Sequence, residues 1–108
     1  MDAPIEVVAK LLKILSDPTR LRIVQVLTME CDSVNQIVEV TGLSQPLVSH
    51  HLRVLRENGL ARAERRGPYT FYCLSDMAVW ETIERCGQVA LRLQKNVQTT
   101  EPAPKIAV

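Results

Sequence analysis

The stretch from Leu43 to Leu60, LSQPLVSHHLRVLRENGL, constrains the fold more than any other part of this chain. Ser44 can cap a helix by accepting from an otherwise orphan first-turn amide, and Gly59 follows the last periodic residue as a stop. Between them Val48, Leu52 and Leu55 recur at spacings of three and four with Leu47 beside them, a stripe that faces a core. Gln45, Ser49, His50 and Arg53 fall on the opposite face. Short donors and acceptors on an exposed helical edge suit the edges of DNA bases.

The preceding residues supply a partner for that helix. Pro4 stands where a first helical turn tolerates proline, and Ile5, Val8, Leu12 and Leu15 form the apolar stripe of a first helix. Asp17 and Pro18 break it and restart the chain as N-cap and first helical residue. The second helix then runs through Leu21, Val24 and Leu27 to about Thr28. Ser33 caps a short third helix carrying Val34, Ile37 and Val38, which ends near Thr41 and Gly42. A helix, a tight turn containing glycine and a second helix with a polar outer edge make a helix-turn-helix, whose second member enters the major groove.

Beyond Gly59 the period changes. Leu60, Arg62, Glu64 and Arg66 alternate with Ala61, Ala63 and Arg65, Gly67-Pro68 marks a turn, and Tyr69 to Leu74 is rich in strand formers. This is a β-hairpin with Arg65 and Arg66 beside its turn, where a neighbouring phosphate backbone would run. Ser75 or Asp76 caps a long last helix with Val79, Trp80, Ile83, Cys86, Gly87, Ala90, Leu93 and Val97 on one face. No core remains in the chain to cover that stripe, so it predicts pairing with a second copy, assisted by the first helix.

The expected architecture is mainly α with a β-hairpin wing: a winged helix-turn-helix in the order α-α-α-α-β-β-α, dimeric through the first and last helices. Residues 1–98 are read as one DNA-binding and dimerisation domain and 99–108, with two prolines and little periodicity, as a disordered tail. At 108 residues the chain makes one small domain that gains from association.

Charge supports the assignment only in its distribution. Thirteen basic and twelve acidic side chains give a net +1, which announces no nucleic-acid partner. From Ser44 to Tyr69, however, five arginines (Arg53, Arg56, Arg62, Arg65, Arg66) face two glutamates (Glu57, Glu64), whereas Glu30 to Val40 carries only Glu30, Asp32 and Glu39. No apolar run approaches a membrane span, so a cytoplasmic protein without a membrane partner is expected. Three cysteines at irregular spacing do not make a disulfide framework and fit a reducing compartment.

Three segments carry a resemblance: Leu15 to Ile23 (LSDPTRLRI), Leu43 to Leu52 (LSQPLVSHHL), and the end of the hairpin, Phe71 to Asp76 (FYCLSD). They resemble the ArsR/SmtB family of winged-helix repressors over roughly residues 5 to 95. The resemblance implies a homodimeric, cytoplasmic repressor that binds an inverted-repeat operator in double-stranded DNA and leaves it when an inducer arrives. The inducer sites it implies do not match. The paired cysteines of many metal and arsenic sensors align with Ser33 and Asn35, and of the ligands on the last helix only Asp76 is kept, Ala78, Val89 and Arg92 holding the other positions.

The candidate DNA-binding residues are therefore Ser44, Gln45, Ser49, His50, His51, Arg53, Arg65 and Arg66. Gln45 suits adenine through a bidentate bond, and the arginines suit phosphate. Ser44 is also a cap, and His51, next to Leu52 and Val48, can pack. The sensor candidates are the three thiols. Cys86 lies on the apolar stripe and reads first as a buried small hydrophobe. Cys73 alternates with Tyr72 and Leu74 and can face either way. Cys31 is the most exposed, with Glu30 and Asp32 raising its thiol pKa. A thiol sensor joining Cys31 to Cys86, or a thiophilic metal held with Cys73, is the expectation for the inducer, with no cofactor certain. A constitutive regulator without ligand and a winged-helix protein-interaction module remain as alternatives. No nucleophile–base pair, phosphate loop or carboxylate pair supports an enzyme.

Overall fold

The computed structural model describes residues 2–99, with side chains described through Val97. Its elements run α1 (Ile5–Leu15), α2 (Pro18–Val26), β1 (Asp32–Ser33), α3 (Val34–Thr41), α4 (Gln45–Glu57), β2 (Ala61–Arg66), β3 (Tyr69–Leu74) and α5 (Met77–Thr99). The expected order gains one element, the two-residue β1, which is too short to show a period. Thr99 ends α5, and the rest of the expected tail lies outside the described residues.

Local chemistry sets the helix boundaries. The Asp17 carboxylate accepts from the Arg20 amide at 3.0 Å, starting α2 at Pro18. The helix closes at Val26, and Leu27 is already extended, so α2 is a little shorter than its apolar spacing suggests. α3 opens on a reciprocal capping box, in which the Gln36 amide donates to the Ser33 hydroxyl at 3.2 Å and the Ser33 amide to Gln36 Oε1 at 2.7 Å. It closes at Gly42, whose φ of 72° is left-handed and suits a residue without Cβ. Ser44 caps α4 through the Leu47 amide. Asp76, of the two candidates for α5, accepts from the Ala78 amide at 2.9 Å.

Three strands form an antiparallel sheet in the order β1-β3-β2. Ala61 pairs with Leu74 and Arg66 with Tyr69 across the hairpin, while Asp32 and Ser33 pair with Tyr72 and Phe71. Ile23, Val24 and Leu27 of α2 and its end, Ile37 of α3, Val48, Leu52 and Leu55 of α4, and Leu60 and Leu74 at the base of the hairpin form one buried core. Two backbone bonds anchor the wing to that core. The Leu74 amide donates to the Thr28 carbonyl at 2.8 Å and the Ser75 amide to the Leu60 carbonyl at 3.1 Å. The wing therefore leaves the body at a fixed place beside α4.

Candidate nucleic-acid interface

With Val48, Leu52 and Leu55 fully buried, the opposite face of α4 is presented outward. Gln45, His50 and Arg53 are exposed and Ser49 is half-buried. The Gln45 amide nitrogen donates to the Ser49 hydroxyl at 3.1 Å, one turn away. The two groups hold each other in place at the start of the helix. The exposed Ser44 hydroxyl is occupied as a cap.

His51 departs from the expected edge. It is only 5% exposed, and its Nδ1 accepts from Arg20 Nε at 3.3 Å, which places the ring proton on Nε2. Arg20 in turn donates to the Ile14 carbonyl at 2.8 Å. Burial holds the imidazole below its ordinary pKa, Asp17 pulls the other way, and Arg20 and His50 add to the depression. His51 thus packs α4 against α2 instead of standing beside His50, whose ring meets it edge-on at 5.1 Å.

At the wing, Arg65 and Arg66 are both exposed. Arg65 Nε donates to the Gly67 carbonyl at 3.3 Å across the turn. Arg66 pairs with Glu64 Oε1 at 3.2 Å and stacks over the Phe71 ring at 4.5 Å. Glu64 Oε2 also meets Arg62 at 3.4 Å. Exposed pairs of this kind are worth about 0–1 kcal/mol, little enough to be exchanged for a phosphate.

The cysteines differ from expectation. Cys31 and Cys73 are joined in a disulfide, 42 residues apart in sequence with Cα atoms 4.3 Å apart. The expected bridge from Cys31 to Cys86 is not formed, and the reading of three thiols without a disulfide gives way to one bonded pair. Continuing the register of β1 on β3 sets residue 31 opposite residue 73, which brings the two sulfurs together. Cys73 is fully buried. Cys86 is exposed on α5 and not a buried hydrophobe within one chain. Glu64 Oε2 lies 3.2 Å from Cys31 Sγ, and among the described residues these two sulfurs and this carboxylate converge within 4.8 Å. As a disulfide the sulfurs offer no thiolate to a metal; as a dithiol with Glu64 they supply sulfur and oxygen donors suited to a soft divalent cation.

The comparisons with known proteins decide the family. Residues 17–63 match the model of the bacterial regulatory proteins of the arsR family. The chain is 31% identical to the transcriptional repressor SdpR of Bacillus subtilis, over 66% of this chain and 79% of that one. The chain belongs to the ArsR family. It is also 39% identical, over 72% of its length, to a cadmium resistance transcriptional regulatory protein CadC homolog of Staphylococcus aureus, of which it spans 65%. Among solved structures it resembles the homodimeric winged helix-turn-helix DNA-binding domain Mb0332 of Mycobacterium bovis. That likeness has a TM-score of 0.68 at 28% identity and covers 79% of each chain. The matched family is one of bacterial regulatory proteins.

The helices α1 and α5 leave apolar side chains uncovered. Ile5 (81% exposed), Leu12, Trp80 and Leu93 (57%) face outward from these two helices. Leu12, Leu15 and Leu21 together with Ile83, Cys86 and Ala90 line an apolar depression between them. Two working residues escaped the sequence reading. Arg20 lies inside the LSDPTRLRI segment, where only its charge was visible, and Glu64 was counted as one of two acids in a basic region. The alternation that put Glu64 on a face with Arg62 and Arg66 was the available signal.

Proposed function

We propose that this ArsR protein is a homodimeric, sequence-specific repressor that lays α4 in the major groove of an inverted-repeat operator. The observation that carries the reading is the outer edge of α4: Gln45 and Ser49 joined side by side, with His50 and Arg53 exposed after them. Gln45, Ser49 and His50 read bases, while the Ser44 turn and Arg53 meet phosphate. Arg65 and Arg66 of the wing bind the adjoining backbone, Arg66 exchanging Glu64 for a phosphate oxygen. His51 positions α4 from within. The exposed apolar faces of α1 and α5 support pairing of two copies.

An inducer acting at cysteine sulfur completes the reading, and the Cys31–Cys73–Glu64 cluster is where the chemistry for it converges. A thiophilic metal on the reduced pair is the second reading, favoured by the carboxylate beside the sulfurs. A mobility-shift titration on duplex DNA from upstream of the chain's own gene tests the repressor. Saturation at two chains per site that survives unrelated competitor DNA supports it. Binding that the competitor abolishes, or no binding, returns the domain to a protein-interaction role.

A further inference from the structure

We propose that Cys31 and Cys73 are a reversible dithiol–disulfide switch whose state is relayed to the wing through Glu64. The proposal rests on the repressor reading for its output but not for its chemistry. Three observations converge on it. Cys31, immediately before β1, is bonded to Cys73 of β3, so the link ties the approach to α3 to the returning strand of the wing. Cys31 is half-buried and Cys73 fully buried, which makes Cys31 the sulfur an oxidant can reach and Cys73 the resolving thiol beside it. Glu64 Oε2 stands 3.2 Å from Cys31 Sγ while Oε1 holds Arg66 at 3.2 Å.

The oxidant is hydrogen peroxide. The Cys31 thiolate attacks the peroxide oxygen, the O–O bond breaks, and water leaves once the departing oxygen takes a proton, giving a sulfenic acid on Cys31. The Cys73 thiolate then attacks the Cys31 sulfur, the S–O bond breaks and a second water leaves. Two thiols and hydrogen peroxide become one disulfide and two waters, and a dithiol reductant reverses the change by taking the disulfide onto itself. Glu64 lies beside the pair, and Glu30 and Asp32 flank Cys31 in the sequence.

The proton on Cys31 sets the direction of the output. In the dithiol form the Cys31 S–H donates to Glu64, and the carboxylate can give up Arg66 to a phosphate. In the disulfide form Cys31 has no proton to donate, and Glu64 depends on Arg62 and Arg66 for its partners. Oxidation therefore withholds a wing arginine from DNA.

The test uses the full chain, reduced with dithiothreitol or oxidised with hydrogen peroxide, on the same upstream duplex. Non-reducing peptide mapping should join Cys31 to Cys73, and the oxidised protein should bind about two- to fivefold more weakly, the scale of an exposed ion pair that must be given up at the wing. Cys31→Ser should bind equally under both conditions, with Cys31→Ala as the second variant. Cys86→Ser should keep the full difference, and Glu64→Gln should keep the disulfide while losing most of the difference. A map joining Cys86 to itself or to Cys31, no disulfide at all, or equal affinity in both states overturns the proposal. So does a Zn(II) or Cd(II) response without any effect of peroxide. If neither state binds DNA, the repressor reading fails. The switch is then judged by the map and by amide exchange in β1 and β3, which must slow on oxidation if the link staples the wing.

Discussion

Arg20 Nε donates to Nδ1 of His51 across 3.3 Å, joining α2 to the inner face of the helix that carries the candidate base-reading residues. Because His51 and His50 are adjacent on α4, the bond fixes the rotation of the helix and with it the side on which Gln45, Ser49, His50 and Arg53 emerge. The bond requires a neutral imidazole, since a protonated ring has no acceptor to offer.

Stability should therefore fall in mild acid. Burial, ahead of the neighbouring charges, holds His51 below its ordinary value of 6.5. The unfolded chain takes up this proton first as pH falls, so the contribution is complete above the unfolded value and is lost between it and the lower folded value. Thermal melts on either side of roughly pH 6.5 should show this loss. His51→Gln, whose carbonyl accepts from Arg20 without titrating, should flatten it; an unchanged slope in that variant would assign the effect elsewhere. Asp17, lowered chiefly by the Arg20 amide, acts in a separate window below its ordinary 3.8.

Gln45→Ala should cost about 1–3 kcal/mol on the operator and little on random duplex, because a base contact carries sequence information and a phosphate contact does not. Parallel titrations of both duplexes measure it. Equal losses would remove Gln45 from the set of readers.

Arg65→Ala and Arg66→Ala together should weaken binding to every duplex and flatten its dependence on salt. Each lost phosphate contact removes about 0.9 from the log–log slope. An unaltered slope would place the wing away from the backbone.

Leu93→Glu puts a charge on an α5 face that is 57% exposed in one chain, so the monomer should fold normally. Sedimentation velocity should show dimers of the parent chain and monomers of the variant, with operator binding weakened accordingly. Dimers persisting in the variant would move the interface off α5.

The helices were legible because their ends are chemical. Asp17 with Pro18, Ser33 with Gly42, and Ser44 with Gly59 each name a boundary, and the buried stripe of α4 follows from spacing alone. What stayed hidden depends on contacts distant in sequence. Nothing local distinguishes His50 from His51, because Arg20, the partner that draws one of them inward, lies 31 residues before it. β1 is too short for a period, so its register on β3, and with it the Cys31–Cys73 pair, could not be seen. The exposure of Cys86 belongs to a single chain, whereas its stripe was read for a pair.

Two copies of the chain should present α4 symmetrically to DNA. Hydroxyl-radical footprinting of the protein on a duplex selected from a random library tests it most directly. Two half-sites should be protected in inverted repeat, their centres one helical turn or a small multiple of it apart, about 34 Å per turn. Protection of a single half-site, or uniform protection without preferred sequence, would contradict it.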